Sequence, residues 1–149
     1  VGDAGQKKEE SVRTAVDSSV VIDLLRGHAD QAATAGRAMR RAYDGGALVA
    51  CDIVWAEVRA AMRDEATFGR AMDVLGIRFD ALSSEVAELA GRLWGDHHRA
   101  RRLEGAARDR ILPDFLIGAH AMLRADALLT RDRGFYRRVF QGLNVIEPA

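Results

Sequence analysis

The sequence predicts an α/β domain with a central, mainly parallel sheet flanked by helices. Three observations predict it. Five short apolar runs alternate with longer segments of helical character. Acids stand just beyond two of those runs, as Asp17 and Asp132, where open parallel sheets present ligand-binding groups. Turn and cap residues, among them Gly27, Asp44-Gly45-Gly46, Gly76 and Pro113, separate the segments at short intervals.

Taken in order, Val12 to Val16 reads as a strand ending at Asp17. Ser18 to Arg26 (SSVVIDLLR) reads as a helix stopped by Gly27. Asp30 to Tyr43 is helical, and Ala47 to Ala50 is a second strand. Asp52 is placed to N-cap a helix from Ile53 to Glu65. A further helix, Thr67 to Leu75, ends at Gly76, and Ile77 to Phe79 follows as a strand. Ser84 starts a helix that runs to Trp94, after which Gly95 to Ile111 is charged and reads as a loop. Pro113 opens the helix Asp114 to Arg124, because its missing N–H is no loss in a first turn. Ala127 to Thr130 is an apolar strand, Arg133 to Phe140 a short helix and Asn144 to Ile146 the last strand.

A chain of 149 residues buries roughly 70% of its unfolded surface, enough for one domain without staples. That domain is expected over residues 12–149. Residues 1–11 are polar and aperiodic and read as a disordered extension or a cloning remnant. Cys51 is the only cysteine, so no internal disulfide forms; a reducing, cytoplasmic setting is expected. No apolar run is long enough to span a membrane, and no signal-peptide pattern opens the chain. The net charge is zero, but 20 of the 22 basic residues are Arg. Arg suits phosphate and stacks on bases, and coding bias explains the excess equally well.

Four acids carry the functional argument. Asp17 and Asp132 follow strands and precede helices, so each reads either as an N-cap or as a ligand group at one shared sheet edge. Asp114 falls in a helix first turn, where the helix dipole favours an acid. Gly118 and Ala121 lie further along its face, so that helix is expected to approach another element closely. Glu57 has Ile53, Val54, Ala60 and Ala61 as helical neighbours, with Trp55, Arg59 and Met62 roughly opposite. A glutamate on such a face is expected to be buried and partnered, by an arginine or by a cation. Collected in one pocket, the four make a hard-oxygen donor set without thiolate or clustered His, which suits Mg²⁺ or Mn²⁺ over Zn²⁺.

The motifs VDSSVVIDLL, VWAEVRAAM, LPDFLIGAHA and LLTRDRGFY carry Asp17, Glu57, Asp114 and Asp132 in that order. In order and spacing they resemble the PIN-domain family, in particular the VapC-type toxin ribonucleases, over about residues 12–148. The resemblance implies a three-layer PIN-like fold. It implies an endoribonuclease that hydrolyses RNA with metal-activated water, leaving 5′-phosphate and 3′-hydroxyl ends. It also implies a homodimer and a cognate antitoxin that neutralises it. On this likeness Asp17, Glu57, Asp114 and Asp132 carry over as catalytic, metal-holding carboxylates. Ser18, Ser19 and Thr130 match the hydroxyl positions that orient them. Gly134 departs from the pattern, since many relatives have another acid there; the number of metals stays open.

Arg101, Arg102 and Arg110 belong to a basic stretch beside Asp114 that reads either as a solvated loop or as an RNA-contacting rim. His97 and His98 are adjacent and point to different faces, which argues against a shared metal. His120 reads as a packing or interface residue, and Asp23 as a solvated partner of Arg26. Trp55, Trp94, Phe115, Phe135 and Tyr136 are expected in packing contacts. A phosphoacceptor receiver needs a late Lys, and every basic residue after Lys8 is Arg. A dehalogenase-type phosphatase needs a DxD motif that is missing here. The alternative function is a non-catalytic PIN-like module that binds RNA or protein.

Overall fold

The computed structural model describes residues 11–103 and 111–149. β1 (Val12–Val16) leads into α1 (Ser18–Arg26), α2 (Ala29–Asp44) and β2 (Gly46–Ala50). Then come α3 (Asp52–Ala60), α4 (Glu65–Val74), β3 (Ile77–Phe79) and α5 (Ser84–Leu103). The chain continues with α6 (Leu112–Arg124), β4 (Ala127–Leu129), α7 (Arg133–Val139) and β5 (Asn144–Ile146). One sheet forms in the order β3-β2-β1-β4-β5, with every pairing parallel. Parallel neighbours need crossovers, and right-handed crossovers put α1 to α4 on one face and α5 to α7 on the other. Accordingly α2 packs on β1 and β2, α6 on β1 and β4, and α7 on β5. The fold is the three-layer α/β arrangement that the alternation predicts.

Strand composition follows position in the sheet. Thr14, Ala15 and Val16 of β1 and all of β4 are buried, as central strands covered on both faces require. At the edge, β3 buries Ile77 and exposes Arg78 and Phe79, and a charge there discourages pairing with another chain. Under α6, the buried rings of Phe115 and Phe135 meet edge-on at 5.3 Å. Gly118 lets Phe140 press against α6, because a Cβ at 118 would overlap the ring. This is the close approach expected of the small residues on that helix. Trp55 packs edge-on against Phe68 and Phe79.

The chain runs outward from β1 through β2 to β3, then returns across to β4. The direction therefore reverses between β1 and β4, and a crevice opens beyond their carboxyl ends. There the Asp17 N–H donates to the Leu129 carbonyl at 2.9 Å and ties the two strand ends together. Among the described residues, no helix is long and apolar enough to cross a membrane.

All five strands lie within one residue of their predicted limits, while three helical expectations need correction. α5 does not stop at Trp94 but continues to Leu103. A mid-helix Gly95 costs only about 1 kcal/mol. The turn beyond it gains the Asp96–Arg99 pair, contact of His97 with Phe115 and contact of His98 with Trp94. The helix expected from Ile53 to Glu65 ends at Ala60, because Asp64 caps the next one and accepts from the Thr67 N–H at 2.8 Å. Asp52 is not the cap of α3. Cys51 holds that position, and the Asp52 carboxylate accepts from the Leu82 N–H at 2.7 Å. Residues 1–10 of the expected extension, Arg110 and the Arg102 side chain lie outside the described residues.

Candidate active site

Asp17 is the first residue beyond β1 and occupies the N-cap position of α1, yet its side chain makes no capping bond. The carboxylate is buried and takes three hydroxyls instead. Thr130 Oγ1 lies 2.8 Å from Oδ2, Ser19 Oγ 3.1 Å from Oδ2, and Ser18 Oγ 3.4 Å from Oδ1. Thr130 sits at the end of β4, fully buried, and its oxygen accepts the Asp132 N–H at 3.0 Å. A hydroxyl has one proton to donate, so this arrangement directs it at Asp17. The Ser18 oxygen also lies 3.2 Å from Glu57 Oε1, so one hydroxyl serves two carboxylates from different elements.

These groups surround a single cavity of about 460 Å³. Asp17, Ser18, Ser19 and Ile22 line it from the β1–α1 junction, Glu57 from α3, Asp114 and Ile117 from α6, and Arg131 and Asp132 from beyond β4. All four predicted carboxylates and both predicted serines are therefore brought together, with Thr130 just beneath. Asp132 resembles Asp17 in holding a helix N-cap position without a side-chain capping bond. Asp114 sits in the first turn of α6, half-buried, one residue after Pro113.

Glu57 is in the cavity for a reason other than the one expected. It is exposed, and the buried face of α3 is formed by Val54 and Val58. Ala56 and Ala60 are exposed beside it, so Glu57 belongs to the open face that borders the cavity. Of the apolar neighbours identified in the sequence, Val54 and Ile53 belong to the core side of α3, whereas Ala60 is exposed and Ala61 half-buried at the rim. Partial desolvation, followed by the charges of Asp17 and Asp114, raises its pKa above the ordinary 4.5; the Ser18 hydroxyl acts in the opposite sense.

Two residues escaped the sequence reading. Asp23 is not a solvated partner of Arg26. It is buried, and its Oδ2 lies 2.8 Å from Arg131 Nε, while Arg26 donates to the Ala61 carbonyl. Arg131 in turn lines the cavity. The signal was available: Asp23 lies four residues after Ser19, on one face of α1, and Arg131 lies between Thr130 and Asp132. Among the described residues lining the cavity there is no histidine. His120 is buried in α6 with Nε2 2.8 Å from Asp80, and Arg101 is half-buried in α5.

Among the described residues, no three His, Cys, Asp or Glu side chains converge into a finished metal shell. The donor set still fits Mg²⁺ or Mn²⁺. Such ions take oxygen ligands and keep several waters, and they are held by one or two carboxylates together with substrate phosphates. An open ring of carboxylates, one of them fixed by neutral hydroxyls, matches that requirement better than a closed cage would.

Fold and site thus define an α/β domain with an acidic pocket at its topological switch point. The PIN domain family profile matches residues 14–141, and the chain belongs to that family. No curated protein sequence matches the chain. Solved structures share its fold at low identity. One is VapBC2 from Rickettsia felis bound to a promoter DNA fragment, with 14% identity, a TM-score of 0.63 and coverage of 91% of this chain and 98% of that one. A toxin-antitoxin complex from Klebsiella pneumoniae has 22% identity and a TM-score of 0.62, with coverage of 91% and 98%. VapBC-1 from nontypeable Haemophilus influenzae has 16% identity and a TM-score of 0.62, with coverage of 91% and 97%.

Proposed function

We propose that this chain is the ribonuclease toxin of a toxin–antitoxin module, a divalent-metal-dependent endoribonuclease that hydrolyses RNA at the four-carboxylate cavity. One observation carries the reading. A buried carboxylate, Asp17, takes its side-chain hydrogen bonds among the described residues from neutral hydroxyls alone, and it shares its cavity with Glu57, Asp114 and Asp132. Among the described residues Arg131 is the one cation lining the cavity, and Asp23 already engages it, so four carboxylates gathered there are best explained by a positive ligand.

Asp17, Asp114 and Asp132 would hold the cation, with Glu57 at the rim. When bound, Mg²⁺ or Mn²⁺ supplies charge stabilisation at the phosphodiester and acidifies water. Thr130 and Ser19 keep the Asp17 oxygens oriented. Glu57 borders the cavity from α3 with its carboxylate beside the Ser18 hydroxyl, and we assign it to receive the proton of the attacking water. Because water is the nucleophile, the ribose 2′-hydroxyl takes no part. The similar structures are toxin–antitoxin complexes by description, which supports a cognate antitoxin as partner here. A homodimer and a cytoplasmic setting belong to the proposal through family likeness and the lone cysteine.

Incubating purified protein with cellular RNA and Mg²⁺, then sequencing the new ends, tests the reading. Wild type is expected to yield 5′-phosphate ends, and Asp114→Asn is expected to yield none while keeping its circular dichroism spectrum. Cleavage by Asp114→Asn at the wild-type rate would sink the assignment. RNA binding by wild type without cleavage would put the non-catalytic module in its place.

A further inference from the structure

The cavity wall carries one group that the hydrolysis above does not use. Among the described residues lining the cavity, Arg131 is the one cation. Its Nε lies against Asp23, an acid buried on α1. Among the described residues, no hydrogen bond occupies its terminal nitrogens. A surface arginine ordinarily samples many rotamers, and an anchored Nε removes much of that freedom in advance. The same side chain lines a second cavity of about 390 Å³ with Asp23, Asp30, Gln31 and Thr34. Arg131 is therefore a lining residue of both cavities.

We propose that Arg131 is a substrate-positioning residue that grips the backbone phosphate next to the scissile one, where the RNA strand passes from the carboxylate cavity into the adjoining one. The proposal rests on the nuclease reading. A polyanion entering a wall of carboxylates meets repulsion that one cation cannot relieve along its whole length. The flanking phosphate needs its own positive group, and a guanidinium offers a planar fork that matches phosphate oxygens. With Nε held by Asp23, the terminal nitrogens are the part of the fork left for that contact. The competing explanation is purely structural: the Asp23–Arg131 pair clamps α1 to the β4–α7 junction and never meets RNA.

The two explanations differ in additivity. Short RNAs with one neutral methylphosphonate on either side of the cut are compared on wild type and on a double variant, Asp23→Asn with Arg131→Gln. The double variant removes both charges, so neither is left buried alone. In wild type, neutralising one of the two flanking phosphates is expected to lower kcat/KM about ten- to a hundredfold, the range for one charge-assisted hydrogen bond. The double variant should lose a similar factor on unmodified RNA, mainly in KM, and lose little more when that phosphate is neutralised. Independent, multiplicative losses at both positions would overturn the proposal, and so would a wild type indifferent to both modifications. If the double variant fails to fold, Arg131→Lys keeps the charge beside Asp23 and removes the fork. It is then expected to show a weakened response to the same methylphosphonate, and an undiminished response overturns the proposal. A wild type unable to cut unmodified RNA would defeat the nuclease reading, a separate result from failure at Arg131 alone.

Discussion

Asp17 and Asp80 occupy equivalent places, each one residue beyond the end of a parallel strand, and their surroundings are opposite. Asp80, after β3, meets His120 at 2.8 Å, Arg124 at 3.0 Å and Arg13 at 3.6 Å. Hydrogen bonding to Arg124 is the largest influence and holds its pKa down to about 2, against the opposing effect of burial. Asp17, after β1, meets three hydroxyls and shares its cavity with three further acids. The first carboxylate is neutralised by the protein itself and reads as a structural brace between β3 and α6. The second is oriented without being neutralised, which leaves its charge available to a ligand. Position at a strand end does not separate the two roles. The charge of the neighbours does.

The sharpest test sets the two acids side by side. Asp17→Asn is expected to lower RNA cleavage by roughly a hundredfold or more, beyond the usual loss for an outer-shell partner of a metal. Asp80→Asn should leave cleavage near wild type. Equal losses in a single-turnover assay would erase the distinction. Stability should show the reverse order. Asp80→Asn is expected to cost about 1.5–3 kcal/mol in urea unfolding, the value of hydrogen bonds to a charged group. Asp17→Asn should cost less, since it relieves repulsion among the four acids.

Acid unfolding sharpens the contrast further. An acid whose pKa drops on folding stabilises the fold above its ordinary value and loses that contribution as pH falls through the folded one. For Asp80 the window runs from 3.8 down to about 2, with about 2 kcal/mol lost across it. His120 acts earlier. Burial lowers its pKa against the pull of Asp80, with Arg124 and Arg13 adding to the decrease. The unfolded chain then takes up the proton first, so stability erodes as pH drops below 6.5. Unfolding curves from pH 7 to pH 2 should lose the lower window in Asp80→Asn and the upper one in His120→Gln. The smallest effect is expected at Glu57. Its pKa is raised, so its charge is unfavourable in the metal-free fold. In EDTA, Glu57→Gln should melt slightly higher, by less than about 1 kcal/mol for so exposed a group. Mg²⁺ should then stabilise wild type more than the variant. Equal Mg²⁺ stabilisation would show that the charge at Glu57 does not sense the cation held by the three aspartates.

Much of the sheet and the site was legible in the residues. Central strands are covered on both faces, so β4 is an unbroken apolar run, Ala127–Leu129, while β1 is bounded by the buried Ala15-Val16 pair that leads into Asp17. The acids beyond β1 and β4 follow from topology, because a parallel sheet with a switch point delivers both to one crevice. Helix ends were harder. Gly95 looked like a stop, yet packing of the following His97 on Phe115 outweighs a single glycine. Glu57 was found through a false premise, since Ala60 and Ala61 on its face are as consistent with a rim as with a core. Asp23 was misread because the nearby Arg26 offered a local partner, while the actual one, Arg131, lies 108 positions away and shows only through its place beside Asp132.

The tie between Asp17 and the end of β4 has a consequence for synthesis. β1 is made first, but the neighbour on one of its sides, β4, is made more than a hundred residues later. Until then that edge of β1 is unpaired, Asp17 lacks the Thr130 hydroxyl, and Asp132 has not been translated. At roughly 5–20 residues per second, the delay on the ribosome is several seconds or more. A nascent or truncated chain therefore cannot assemble the four-acid cavity, whatever its earlier segments have folded. The pocket is completed late, when the last third of the polypeptide closes the sheet.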